Sequence, residues 1–179
     1  GDKRREGIHL GNLGNVYRAQ GENERAVDLF TQAAAIAREI GDKRSEGIGL
    51  GNLGDTLAGL GRLEEAESVL RKAISIGEET YPVAADVFRG SLALLLAQQD
   101  KLKEAQSILE TGEAGVESQP EEHAKFLCKK GQVCHLAGDA DGARASLKQA
   151  QGIASKLKVG EDSGLARAIA ELETVLSEG

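Results

Sequence analysis

A chain of 179 residues with a formal net charge of −7, 23 glycines, 2 prolines and 2 cysteines, lacking methionine and tryptophan, suits one ordinary domain and excludes several classes. Two cysteines make no disulfide framework, and the acidic balance opposes wrapping a phosphate backbone, so no nucleic-acid partner is expected. The longest apolar stretches, such as 92–97, fall far short of the ~20 residues that cross a bilayer, and no basic-then-apolar leader opens the chain, so no membrane contact and a cytoplasmic location are expected.

The glycine content at first suggests loops or β-structure, but the glycines repeat with the rest of the chain. Residues 1–40 laid on 41–80 match without a gap at about 18 of 40 positions. Gly1-Asp2-Lys3-Arg4 recurs as Gly41-Asp42-Lys43-Arg44, and Leu10-Gly11-Asn12-Leu13-Gly14 recurs as Leu50-Gly51-Asn52-Leu53-Gly54. Ala26, Ala66, Ala105 and Ala143 stand about 40 residues apart, as in helical repeat arrays. Each unit reads as two helices. Ile8, Leu10, Leu13 and Tyr17 keep helical spacing, residues 20–23 break it, and Ala26, Val27, Phe30, Ala33, Ala34 and Ile36 resume it as far as Ile40.

Gly41 suits the residue just past a helix, and Asp42 suits the cap of the next one. Pro82 and Pro120 fall where first helices open. Leu165, Ile169, Leu172, Val175 and Leu176 make the last segment a lone amphipathic helix that covers an apolar face. The expected fold is therefore all-α: one domain over 1–179, a solenoid of four antiparallel helix pairs (1–40, 41–80, 81–119, 120–159) and a capping helix at 160–179. The N-terminus opens in mid-pattern at the register of Gly41, so a segment of a longer protein is expected.

The slots Leu13, Gly14, Tyr17, Gly21, Ala26, Phe30 and Ala33 resemble the tetratricopeptide repeat. The long period is similar to that of Leu-Gly-Asn-repeat spindle adaptors, kinesin light chains and arrays of bacterial signalling proteins. The third unit departs most: Asp100 replaces the turn glycine, Ala93 a helix glycine, and Gly112 an alanine of the second helix. The resemblance implies a right-handed superhelix whose first helices line a concave face that binds a peptide or helix. Carried over slot by slot, that face comprises Ile8, Gly11, Asn12, Asn15 and Arg18, then Ile48, Gly51, Asn52, Asp55 and Ala58. Val87, Gly90, Ser91, Leu94 and Ala97 follow, then Lys125, Cys128, Lys129, Gln132 and His135.

Asparagine offers donors and an acceptor, so Asn12, Asn15 and Asn52 suit an extended ligand backbone, or they serve solvent and neighbouring helices. Glycines 11, 51 and 90 would permit close approach. Members that clamp chaperone carboxylates carry lysine or arginine where this chain has Gly11, Val87 and Ser91. Spindle adaptors often carry arginine where it has Ile8 and Ile48. Neither ligand transfers.

Lys125, Lys129 and Lys130 cluster on one predicted helix. They either attract an acidic partner segment or form a solvated face balanced by Glu121 and Glu122. Gly49-Leu50-Gly51-Asn52-Leu53-Gly54 matches a dinucleotide-binding spacing, but inside a helical pattern and without the required strand. His123, Cys128, Cys134 and His135 lack zinc-site spacing, and Cys134 takes a core slot, so no metal is expected. No nucleophile stands in an exposing turn, and pairs such as Glu64-Glu65 lack neighbours that would separate their pKa values, so neither catalysis nor a cofactor is expected.

The expected function is a noncatalytic protein-interaction module. Alternatives are a sensor or autoinhibitory segment of a larger signalling enzyme, such as a bacterial kinase or ATPase, and a self-association module acting through an uncapped first repeat.

Overall fold

The computed structural model describes residues 2–178; Gly1 and Gly179, the outermost residues of the predicted first repeat and capping helix, lie outside them. Among the described residues the chain is an all-α solenoid of nine helices, with no strand. They are α1 (Asp2–Ala19), α2 (Asn23–Glu39), α3 (Lys43–Gly59), α4 (Leu63–Thr80), α5 (Pro82–Gln98), α6 (Leu102–Val116), α7 (Pro120–Leu136), α8 (Ala140–Leu157) and α9 (Gly164–Glu178). The chain divides within α5 into two compact units, 1–88 and 89–179.

The hairpin turns repeat one backbone device. Gly21 has φ +79, its N–H donates to Arg18 O, and Glu22 N–H donates to Tyr17 O at 2.9 Å. This is the Schellman ending, which satisfies the last carbonyls of a helix and needs a left-handed residue. Gly41, Gly61 and Gly138 repeat it with φ between +73 and +77. Asp100 also takes it, at φ 63, where the third repeat lacks glycine. An aspartate tolerates that region better than most residues with a side chain. Asp42 Oδ1 accepts from Ser45 N–H at 3.1 Å and Asp139 Oδ1 from Gly142 N–H at 2.9 Å, capping α3 and α8.

In the first unit, α2 and α4 bury alanine-rich faces against glycine-bearing helices. Ala26 and Ala66 are fully buried, as are Ala105 and Ala143 in the second unit. A Cβ at Gly14 would lie 2.8 Å from the Phe30 ring, and one at Gly54 would lie 2.6 Å from Leu70. These glycines are notches that admit large side chains from the paired helix. Full burial of such a side chain contributes about 1.5–3 kcal/mol, more than the ~0.5–1 kcal/mol that an interior glycine costs. Glu46 is buried at the start of α3, where Arg38 and Lys43 donate to its two oxygens at 2.8 and 2.9 Å.

In the second unit, α9 sets Leu165 and Leu172 into a cluster with Ala124, Leu127, Cys128, Ala150 and Ala154. Leu172 fills the notch at Gly131, where a Cβ would meet it at 2.7 Å. The predicted burial of the cysteines is reversed. Cys128 is buried in this cluster, whereas Cys134, read as a core residue, is half-buried. The reason is α9: it presents leucines to the face of α7 that carries Cys128, a face read as lining the groove.

Candidate functional site

A cleft of ≈ 210 Å³ opens in the first unit. Arg4, Gly7, Ile8, Gly11, Asn12 and Asn15 of α1 form one wall, and Ser45, Ile48, Gly49 and Asn52 of α3 form the other. The floor is mainly apolar: Phe30, Ala33, Ile36 and Ala37 of α2 and Ile40 after it, with the Asp42 carboxylate from the turn that follows. Gly7 and Gly14 are taken up by contact with α2, their Cβ positions lying 3.3 Å from Ile36 and 2.8 Å from Phe30. Gly11, between them, is different. Among the described residues no atom outside its own helix lies within 4 Å of a Cβ placed there.

Charge on the walls is internally balanced. Asp42 Oδ2 faces an Arg4 guanidinium nitrogen at 3.1 Å as an ion pair without an aligned hydrogen bond. The Ser45 N–H bond, helped by Arg4, holds the Asp42 carboxyl below the usual aspartate range against the opposing effect of burial. At the far end, Arg18 donates to Asn15 Oδ1 at 3.1 Å, and its guanidinium lies 5.7 Å from the centre of the Phe30 ring.

Of the residues read as lining a groove, Ile8, Gly11, Asn12, Asn15, Ile48 and Asn52 come together on this cleft, with Arg18 beside Asn15. Gly51 does not join them: it is buried beneath the ring of Phe88, 1.9 Å from where its Cβ would be. Asp55 lies further along α3 and Val87 is half-buried next to Phe88, neither on the cleft wall.

Ser91, Lys125, Lys129 and Gln132 belong to the second unit. Ser91 is buried and accepts from Lys129 Nζ, and Gln132 is half-buried on α7. Lys125 Nζ lies 2.7 Å from Glu121 and 3.2 Å from Glu122. Burial pulls its pKa down, but these carboxylates prevail and raise it. Lys130 pairs with Glu113 at 2.7 Å.

The sequence reading missed the floor, Asp42 included, and Arg4, Gly7, Ser45 and Gly49 on the walls. Phe30 and Ile36 read as ordinary core, and Phe30 is indeed fully buried beneath the cleft while Ile36 is half-buried. The usable signal was Gly49 itself, whose counterparts in the repeat frame are Phe88 and Phe126.

The fold is that of a helical-repeat scaffold. Tetratricopeptide-repeat models match residues 5–79 and 127–149, and the chain belongs to the tetratricopeptide-repeat family. Its fold is similar to that of a Podosopora anserina putative kinesin light chain with nearly identical TPR-like repeats (19% identity, 98% of this chain and 95% of that one, TM-score 0.64). It is also similar to BtubC (BKLC) from P. vanneervenii (19% identity, 84% of this chain, TM-score 0.65) and to a Rap protein complexed with competence and sporulation factor (20% identity, 97% of this chain, TM-score 0.58). The chain spans 64% of the length of BtubC and 52% of that of the Rap protein. No curated protein matches it. Among the described residues, no helix is long and apolar enough to cross a membrane, and no group of three or more His, Cys, Asp or Glu side chains is placed to hold a metal ion.

Proposed function

We propose that this chain is a noncatalytic module that binds an extended peptide or a helix of a partner protein in the cleft between α1 and α3. The observation that carries the reading is the convergence of Asn12, Asn15 and Asn52 with exposed Ile8 around a mainly apolar floor. Asparagine side chains on the walls can donate to and accept from a ligand backbone, while the floor supplies area that association removes from water. The Rap protein, a fold neighbour, was solved in complex with a factor, which agrees with a binding role for such an array. The cleft is confined to the first unit. Lys125 and Lys130 of the second unit are already matched by Glu121 and Glu122 and by Glu113, so an acidic ligand segment would compete with these carboxylates.

Selection from a displayed peptide library tests the reading. Peptides selected on the wild-type protein should lose most of their affinity for the Asn12→Ala/Asn52→Ala double variant. Undiminished binding to that variant removes the cleft from the function.

A further inference from the structure

The repeats themselves show what belongs above the glycine of each first helix. In the repeat frame, Gly11, Gly51, Gly90 and Cys128 are equivalent. Above Gly51 lies the ring of Phe88, and above Gly90 lies the ring of Phe126, 2.9 Å from where a Cβ would be. Cys128 is covered in the cluster that contains Leu165. The covering rings take one slot of the following repeat: Phe88 stands 37 positions after Gly51 and Phe126 36 after Gly90, and because the first repeat is longer the same slot stands 38 after Gly11. The residue of α3 that would cover Gly11 on the same plan is Gly49, which has no side chain and lies against Ala34 instead. The cleft is therefore the place where one repeat lacks the ring that later repeats supply from within.

Size, shape and charge agree on the occupant. An apolar cavity of ~150 Å³ takes a benzene molecule, and this cleft is larger, at ≈ 210 Å³. Its lining is mainly apolar, with half-buried Ile36 and Ile48 over buried Ala33 and Phe30, a surface suited to a flat ring. Arg4 and Asp42 already neutralise one another, so an ionised side chain would be buried there without a counter-charge. We propose that the cleft above Gly11 receives one aromatic, phenylalanine-like side chain of a partner peptide, which does from outside what Phe88 does at Gly51. This rests on the reading of the α1–α3 cleft as the peptide site. The amides of Asn12 and Asn52 hold the ligand backbone at the rim while the ring descends between Gly11 and Gly49.

The test uses a displayed random-peptide library on the full chain. Gly11→Leu fills the cleft from α1; it meets open space and replaces glycine with a strong helix former, so its melting temperature should equal or exceed that of the wild type. Selected peptides should share an aromatic residue at one position. Replacing that residue with alanine, or using the Gly11→Leu protein, should each weaken binding about tenfold or more. Peptides that depend on Asn12 and Asn52 but carry no shared aromatic, or that bind Gly11→Leu as well as wild type, overturn the ring pocket and leave the peptide site standing. Peptides indifferent to both sets of variants, or no enrichment at all, overturn both. A dimer in sedimentation that Gly11→Leu converts to monomer would assign the cleft to a second copy and overturn the partner peptide.

Discussion

α1 and α3 are near copies in sequence and opposites in environment. Both carry Glu-Gly-Ile, then Leu-Gly-Asn-Leu-Gly, at the same register. Yet Leu13 is 43% exposed where Leu53 is 8%, and Val16 is 50% exposed where Thr56 is 2%. Gly11 faces open space where Gly51 lies under a phenyl ring. The difference comes from neighbours, since α3 has α2 against one face and Phe88 of α5 against another. Residue identity sets what a helix is able to bury, and the adjoining repeat decides whether it does.

The largest expected contrast is between the paired leucines. Leu53→Ala should cost about 2–5 kcal/mol in denaturant unfolding, because it leaves a cavity in a packed interface. Leu13→Ala should stay within about 0.5 kcal/mol, as for other exposed positions. Equal losses would mean that the outer face of α1 is covered in solution, and sedimentation at several concentrations would then show association.

Next come the paired glycines, for which the signs should differ. Gly51→Ala forces a methyl group into the Phe88 ring and should destabilise by about 1–3 kcal/mol. Gly11→Ala meets open space and should stabilise by about 0.5–1 kcal/mol through helix propensity alone. Two losses would indicate that α1 and α3 close over the cleft.

A smaller effect is expected at Glu46. Burial pushes its pKa up, but the hydrogen bonds from Arg38 and Lys43 outweigh this and hold it below the ordinary glutamate value. A carboxyl depressed in the folded state stabilises the fold above its unfolded pKa and loses that contribution as pH falls through the folded one. Glu46→Gln should therefore be less stable than wild type at neutral pH. The gap should narrow from about pH 5 downward, as measured by thermal melts across pH. A constant gap would show that the charge contributes nothing.

The smallest test extends the comparison to Cys128, which shares the frame position of Gly11 and Gly51. Burial pushes its thiol up to about 11. Burial also raises Cys134, which is only half-buried. A thiol reagent should modify Cys134 well before Cys128 in the native protein and should modify both alike in urea. Early modification of Cys128 would mean that α9 detaches readily from α7.

Much of this organisation was legible in the sequence because its causes are local. The Schellman turns at Gly21, Gly41, Gly61 and Gly138 and the anchor alanines at 26, 66, 105 and 143 each declare themselves within a few residues. Even Asp100 keeps the turn despite the lost glycine, since the helices on either side demand it. The walls of the cleft were legible in the same way, from slots repeated on α1 and α3. Its floor was not, because Phe30 and Ile36 carry the ordinary signature of a buried helix face. The reversed burial of Cys128 and Cys134 has a related cause: helical spacing identifies a face but does not say which later element will lie on it.

Sequence alone determined the helices, their pairing into repeats, the turns and the membership of a repeat family. Periodicity, capping and left-handed turn residues act over one or two helical turns and need no distant partner. Tertiary structure alone decided which of two matching glycines lies beneath a ring and which opens onto a cleft. That choice depends on the side chain standing 37 or 38 residues later in the next first helix: Phe88 covers Gly51, and Gly49 leaves Gly11 open.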